Sequence, residues 1–219
     1  MRVALFGSFH RGHAVLKELL SGPLASRIEI VGVATDDPDK SFVSAHKRVW
    51  QYPHEPHERV MVNEMARGAK LPIWDGRIKT PEFYAIYEND WRPDICFMAT
   101  FGQRVDRRLF SFPPKGFYNL HPSDLGEWPS IYAGPNPFHE MLNDGRETCA
   151  VTLHMVDDGF DTGKRMAVTP PIAIPKGATV VDLHKLTAPH AALLVREQLA
   201  AALACDERPL EHANAPASK

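Results

Sequence analysis

Arg2-Val3-Ala4-Leu5-Phe6-Gly7-Ser8-Phe9-His10-Arg11-Gly12-His13-Ala14-Val15-Leu16-Lys17-Glu18-Leu19-Leu20 opens the chain with two apolar patterns of different period. Arg2 to Phe6 is a short, almost continuous apolar run, the pattern of a strand buried on both faces of a parallel sheet. Gly7 and Gly12 punctuate a strand-to-helix turn. From His13 to Leu20 the apolar positions fall at helical spacing. Comparable apolar runs lie at Ile28 to Thr35 and Asp94 to Thr100, and helical spacing returns over Glu58 to Ala69 and Pro81 to Trp91. Strand and helix in alternation predict an α/β fold, a parallel sheet with right-handed crossovers and helices on both faces.

The second half adds elements of another kind. Gly116 to Ser123 reads as a strand that stops at Pro122, which has no N–H to give a ladder. Gly134 to Asn143 begins at prolines suited to a helix start and ends before the turn pair Asp144-Gly145. Thr148 to Val156 alternates, with Val151, Leu153 and Met155 on one face and Thr152, His154 and Val156 on the other. Lys164 to Pro170 reads as a further strand, and Thr179 to Ala204 as a long amphipathic helix interrupted or kinked around Pro189. The expected architecture is a Rossmann-like open, mostly parallel sheet with antiparallel additions in the C-terminal half. It forms one domain over residues 1–205, and residues 206–219 are expected to be a disordered tail.

Composition narrows the function. A chain of 219 residues builds one core comfortably, and 44% apolar with 24% charged residues is an ordinary globular mix. There is no run of 18 apolar residues, so no membrane-spanning helix is expected, and Met1 to Gly7 is too short for a signal-peptide core. A cytoplasmic protein is the expectation. Three scattered cysteines argue against a disulfide framework and a cysteine-based zinc site. A formal net charge of −2 lacks the basic excess that gripping a nucleic acid requires. A homodimer is left open.

The string His10-Arg11-Gly12-His13 after the first strand resembles the phosphate-binding signature of the adenylyltransferase superfamily, but His10 abuts Phe9 where that family has a spacer loop. The glycines also miss the Gly-x-Gly-x-x-Gly order of dinucleotide sites. A plain turn is the favoured reading, and Ser8, His10 and Arg11 are retained as candidates for meeting a phosphate or carboxylate of a substrate. The densest histidine cluster, His54-Glu55-Pro56-His57-Glu58, carries an internal proline that spoils a helical ligand pair, so no metal is expected there. The aromatic-rich Val49 to His54 segment reads as a capped loop with some capacity to stack on a base.

Asn119 and His121 are two apart in a strand and therefore face the same way. With Asp161 in Asp157-Asp158-Gly159-Phe160-Asp161-Thr162-Gly163 they supply an amide, an imidazole and a carboxylate, a sufficient kit for moving an acyl group onto an amine. Asp161 would hold the imidazolium of His121 and raise its pKa. His154 reads either as a site histidine or as a hydrogen-bonded strand histidine, and Asp157 and Asp158 as turn residues before Gly159.

Taken in order, Asp94 to Gln103, Asn119-Leu120-His121-Pro122-Ser123, Tyr132 to Pro137, Val151 to Met155 and Asp161-Thr162-Gly163 resemble the 10-formyltetrahydrofolate-dependent formyltransferase family over roughly residues 2–199. The resemblance implies a catalytic triad at Asn119, His121 and Asp161, with His154 beside it. It implies a folate pocket walled by Thr100, Phe101, Gly102, Gln103 and Arg104 and by Asp157, Asp158, Gly159 and Phe160. It implies 10-formyltetrahydrofolate as cosubstrate and no metal. By elimination within the family, the expected acceptor is a small amine, foremost an amino-sugar nucleotide, followed by glycinamide ribonucleotide and hydroxyornithine. Members acting on methionyl-tRNA carry an additional C-terminal domain for which few residues remain here. A formyltetrahydrofolate hydrolase and a non-catalytic folate-binding protein are the rival classes, with adenylyl transfer a remote third.

Overall fold

Val3 to Phe6 are completely buried because β1 (Arg2–Gly7) is an interior strand of its sheet, parallel to β2 (Glu29–Ala34) on one side and to β4 (Ile95–Ala99) on the other. The computed structural model describes residues 1–40, 43 and 48–206. Its remaining strands are β3 (Ile73–Trp74), β5 (Phe117–Ser123), β6 (Thr148–Met155), β7 (Arg165–Val168) and β8 (Ile172–Ala173). The order is β3-β2-β1-β4-β5-β6-β7, with β8 paired to β6. Neighbours from β3 through β5 are parallel, and β6, β7 and β8 join antiparallel.

Alternate residues of β1 build two cores. Val3 and Leu5 pack with Val15, Leu16 and Leu19 of α1 (Phe9–Ser21), Val62 and Ala66 of α2 (Pro56–Gly68), and Ala191 and Val195 of α6 (Val180–Asp206). Ala4 and Phe6 pack on the other face with Phe83 of α3 (Pro81–Ala85), Tyr87 and Trp91 of the π-helical turn that continues it, and Leu109 of α4 (Arg107–Phe110). A third cluster joins Phe138 and Met141 of α5 (Pro137–Asn143) to Leu183 of α6. The sheet is thus covered on both faces, as the unalternating strands require.

Several boundaries differ from the sequence reading, each for a physical reason. α1 begins at Phe9, four residues earlier than its apolar periodicity indicates, and Gly12 lies inside it. A Cβ on Gly12 would meet the Gly7 carbonyl carbon at 2.7 Å, so this glycine serves the close approach of α1 to β1 rather than a turn. β5 does not stop at Pro122, which pairs with Val151. β4 ends its pairing at Leu120, so Pro122 lies where β5 has only β6 as a neighbour, a position that tolerates proline. α6 runs unbroken through Pro189. β3 and β8 are two residues each, too short to show a period. The expected disordered tail lies, past Asp206, outside the described residues.

The order of strands reverses between β1 and β4: the chain goes from β1 outward to β2 and β3, then returns to the other side of β1. In open α/β sheets the crevice beyond the carboxyl ends of the strands at such a point is where ligands bind. Arg11 in the first turn of α1, Thr100 just past β4, and Asn119 and His121 near the end of β5 are all delivered there.

Candidate active site

Asp161 is the hub of the crevice. Its Oδ1 accepts a hydrogen bond from Asn119 Nδ2 at 2.9 Å, and its Oδ2 accepts from the Gly134 backbone N–H at 3.0 Å. His121 Nδ1 lies 3.3 Å from Oδ2 and His154 Nε2 lies 3.4 Å from Oδ1. The register of β5 and β6 makes this possible, because Asn119 pairs directly with His154. Asn119 Nδ2 and His154 Nε2 are accordingly 3.2 Å apart. The residues expected from sequence as a triad, and the histidine expected beside it, therefore meet around one carboxylate. Asn119, His121 and His154 are 8%, 6% and 2% exposed, so the cluster is shielded from bulk water.

Backbone strain concentrates around this crevice. Asp161, Thr100 and Phe9 all have positive φ, at 52°, 58° and 57°, a region that costs non-glycine residues about 1–3 kcal/mol each. One follows β1, one follows β4, and the third is the hub.

Electrostatics fix the resting protonation. Burial alone would raise the Asp161 carboxyl, but the hydrogen bonds and charges of His154, His121 and the Gly134 N–H outweigh it and hold the group below its usual range. Burial lowers His121 below 6.5, although Asp161 and the Tyr132 carbonyl pull the other way. Asp161 does raise the His121 pKa, as expected, but desolvation of the imidazolium exceeds the benefit of its carboxylate partner and the net shift is downward. His121 Nε2 is 2.9 Å from the Tyr132 carbonyl, which selects the tautomer carrying hydrogen on Nε2. The basic Nδ1 is then left facing Asp161.

The cluster opens into a cavity of about 310 Å³, within the range of small-molecule sites. Two loops form one part of its lining, 100–105 after β4 and the stretch 156–161 between β6 and β7. The first loop is pinned from behind. Gln103 donates to the Gly76 carbonyl at 3.0 Å and accepts from the Ile78 N–H at 3.1 Å, Arg48 donates to the Phe101 carbonyl at 3.0 Å, and the Gly102 N–H donates to the buried Asp36 carboxylate. In the second, Asp157 caps the turn, accepting from the Gly159 N–H at 3.0 Å and the Thr162 hydroxyl at 2.8 Å. Arg104 lies 4.4 Å from the Phe160 ring and joins the two loops at the mouth, where Phe160 is 57% exposed. Met98, Phe101, Val105, Val156 and Phe160 give this part an apolar wall edged by backbone polar groups, which suits a flat heteroaromatic ring.

Three residues expected at ligands do not line the cavity. The Ser8 hydroxyl accepts from the Asp36 N–H at 2.9 Å and contacts Thr35, serving the turn after β1. His10 pairs with Glu58 at 2.8 Å, and Glu58 also holds Lys185 at 2.7 Å. Asp158 faces Arg107 on the surface. The histidine cluster of 54–58 is a helix start: Pro56 opens α2 and Glu58 accepts from the Glu55 N–H at 2.8 Å. Among the described residues no group of three or more His, Cys, Asp or Glu is placed to hold a metal. Trp50 and Tyr52 do line the cavity. Sequence reasoning did not single out His184, Arg48 or the Gly134 N–H, since a backbone donor and a helix-face histidine carry no local signal.

A model described as formyl transferase matches residues 1–196. The methionyl-tRNA formyltransferase of Syntrophomonas wolfei is 30% identical over 189 residues, 86% of this chain and 54% of that protein. That of Desulforamulus reducens is 29% identical over 197 residues, 89% and 56% respectively. The chain spans about half the length of these curated relatives. Among solved structures, phosphoribosylglycinamide formyltransferase from Streptococcus pneumoniae superposes with a TM-score of 0.63 at 20% identity, covering 93% of this chain and 99% of its own. A formyltetrahydrofolate deformylase from Pseudomonas syringae gives 0.65 at 18%, covering 97% and 64%. At such identities these two likenesses speak for the fold. With a family match across nearly the whole described chain, and the amide, imidazole and carboxylate gathered at the sheet's switch point, the chain belongs to the formyl transferase family.

Proposed function

We propose that this protein is an N-formyltransferase that moves a formyl group from 10-formyltetrahydrofolate to the primary amine of a small acceptor, foremost an amino-sugar nucleotide. The observation that carries the reading is the meeting of Asn119, His121 and His154 on Asp161 at the wall of an open cleft. The loops 100–105 and 156–160 hold the folate, and Arg11 with the inner wall receives the acceptor. In the attack of a neutral amine, a bond forms from nitrogen to the formyl carbon and the carbonyl oxygen becomes an oxyanion. The Asn119 amide N–H, exchanging His154 for that oxygen, is the donor best placed to stabilise it. The proton of the new ammonium passes through water to His121 Nδ1, where Asp161 Oδ2 already stands to pair with the imidazolium. His121 then returns the proton to the departing nitrogen of the folate as its bond to the formyl carbon breaks.

Relatives named for methionyl-tRNA raise a nucleic-acid acceptor as a second reading. The net charge of −2 favours the small amine, because phosphate backbones are gripped by basic excess. Purified protein given 10-formyltetrahydrofolate and a panel of amino-sugar nucleotides, glycinamide ribonucleotide, hydroxyornithine and methionyl-tRNA should release tetrahydrofolate with a sugar nucleotide. Formate released at the same rate without any amine would instead make it a hydrolase. Absence of turnover, together with no thermal stabilisation by a folate analogue, would end the reading.

A further inference from the structure

Among the described residues Arg11 is the largest fully buried side chain, at 2% exposure, and no described carboxylate pairs with its charge. One nitrogen, Nη1, donates to the Thr100 hydroxyl at 3.2 Å and to the Leu120 carbonyl at 3.4 Å. Nε and Nη2 are buried without a partner among the described residues. His184 of α6, 8% exposed, also has a buried nitrogen, Nδ1, with no partner among the described residues. The two lie together: the Phe138 ring has the Arg11 guanidinium 5.6 Å from its centroid and the His184 ring 5.0 Å away edge-on. Burial and the nearby Arg11 charge keep His184 far below 6.5 and therefore neutral, while Arg11, lowered to about 10, stays a cation at neutral pH. The first turn of α1, from which Arg11 projects, has no acidic residue, and the helix N-terminus adds positive potential of its own.

Three orphaned polar atoms around an uncompensated cation are costly, since a buried charge without a partner is among the most destabilising features a fold can carry. A leucine or methionine at position 11 would serve packing better. The cation sits instead on the wall of the reaction cleft, bonded to the carbonyl of Leu120, the residue between Asn119 and His121. A guanidinium so placed matches the planar face of a carboxylate or the oxygens of a phosphate, with His184 as a neutral neighbour.

We propose that Arg11, with His184 beside it, forms an oxyanion subsite on the inner wall of the cleft, and that the acceptor is a molecule bearing a phosphate or carboxylate a few bonds from its reacting amine. This deepens the transfer reading and rests on it. A sugar nucleotide has its phosphate about one sugar ring from the amine; an amino acid has its carboxylate closer still. Arg11 would then set the specificity, rejecting neutral amines by leaving its own charge unpaired.

The test uses the full chain, wild type and Arg11→Met, with inorganic phosphate and acetate as separate probes at constant ionic strength against chloride, and a folate analogue as control. The expected result is that one probe raises the wild-type melting temperature saturably and that Arg11→Met weakens its binding about 10- to 100-fold, the usual scale for losing hydrogen bonds to a charged group. The folate analogue should stabilise both proteins alike. Phosphate alone acting would assign a phosphorylated acceptor, and acetate alone a carboxylate. No response of the wild type beyond chloride, or an equal response of the variant, would overturn the subsite while leaving folate binding in place. Failure of the folate analogue on the wild type would instead overturn formyl transfer. Arg11→Gln gives the same comparison should the methionine variant not fold.

Discussion

Asp161 takes hydrogen bonds from an amide and a backbone N–H and stands opposite two imidazoles, so changes at that one position propagate to all of them. Replacing Asp161 by Asn keeps the shape but removes the charge that receives a protonated His121. The kcat of formyl transfer should fall by roughly 10²–10³, the scale seen on losing a preorganised electrostatic partner, with stabilisation by a folate analogue unchanged. A steady-state assay beside a thermal-shift titration reads both. Unchanged kcat would remove Asp161 from the chemistry. The Asn119 and His121 pair was legible because two residues on one strand face share a direction. Asp161 was not legible from its own surroundings, where Asp157-Asp158-Gly159 reads as a turn. Its place came from the family resemblance, and its partners from a β5–β6 register that no local pattern states. Arg11 was legible as a candidate ligand, yet its isolation depends on what α5 and α6 bring beside it.

At the scale of elements, the seat of α1 on β1 decides where Arg11 and the helix N-terminus point. Gly12→Ala would push a Cβ to 2.7 Å from backbone that cannot yield. Overpacking of this kind costs about 1–3 kcal/mol, to be read as a lower melting temperature. An unchanged melting temperature would mean that the helix can slide. The loop after β4 depends on Asp36, which is 2% exposed, and whose carboxyl burial pushes up to about 6 despite the Gly102 N–H and Arg48. Asp36 is therefore ionised at neutral pH at a cost of about 3 kcal/mol relative to the unfolded chain. Asp36→Asn should stabilise the protein by about 1–3 kcal/mol at neutral pH, less at pH 5, where Asp36 is already protonated. Denaturant titrations at the two pH values check this. The long strands and helices were placed by apolar spacing, whereas the single turn of α4 (Arg107–Phe110) is too short to show a period and was not read. The start of α1 and the passage of β5 through Pro122 were not read either, since a close glycine contact and a missing neighbour strand are properties of the assembled sheet.

For the whole molecule, acid is the weakness. His10, His13, His121 and His184 are all lowered below 6.5, in each case chiefly by burial. The unfolded chain therefore takes up these protons before the folded one, and stability present at neutral pH drains away as pH falls below 6.5. Asp36 opposes the trend between about 6 and 3.8, and Asp161 adds to it only below 3.8, where its unfolded-state carboxyl gains a proton first. Urea midpoints should decline from about pH 7 to about pH 5, with the decline reduced in His184→Phe. A midpoint that rises on acidification would contradict this balance. The kcat/KM of the enzyme should follow a related curve, level at neutral pH and falling as His121 gains a proton and can no longer accept one.

The proposed chemistry is one transfer, of a formyl carbon from folate nitrogen to amine nitrogen beside Asp161. Carbon-13 in the formyl group of 10-formyltetrahydrofolate, followed by NMR with an amino-sugar nucleotide present, tracks that carbon directly. The predicted result is a labelled formamide and one tetrahydrofolate per label, with both abolished in His121→Ala. Label leaving as free formate at the same rate with or without amine, or remaining on a folate that nonetheless binds, would contradict it.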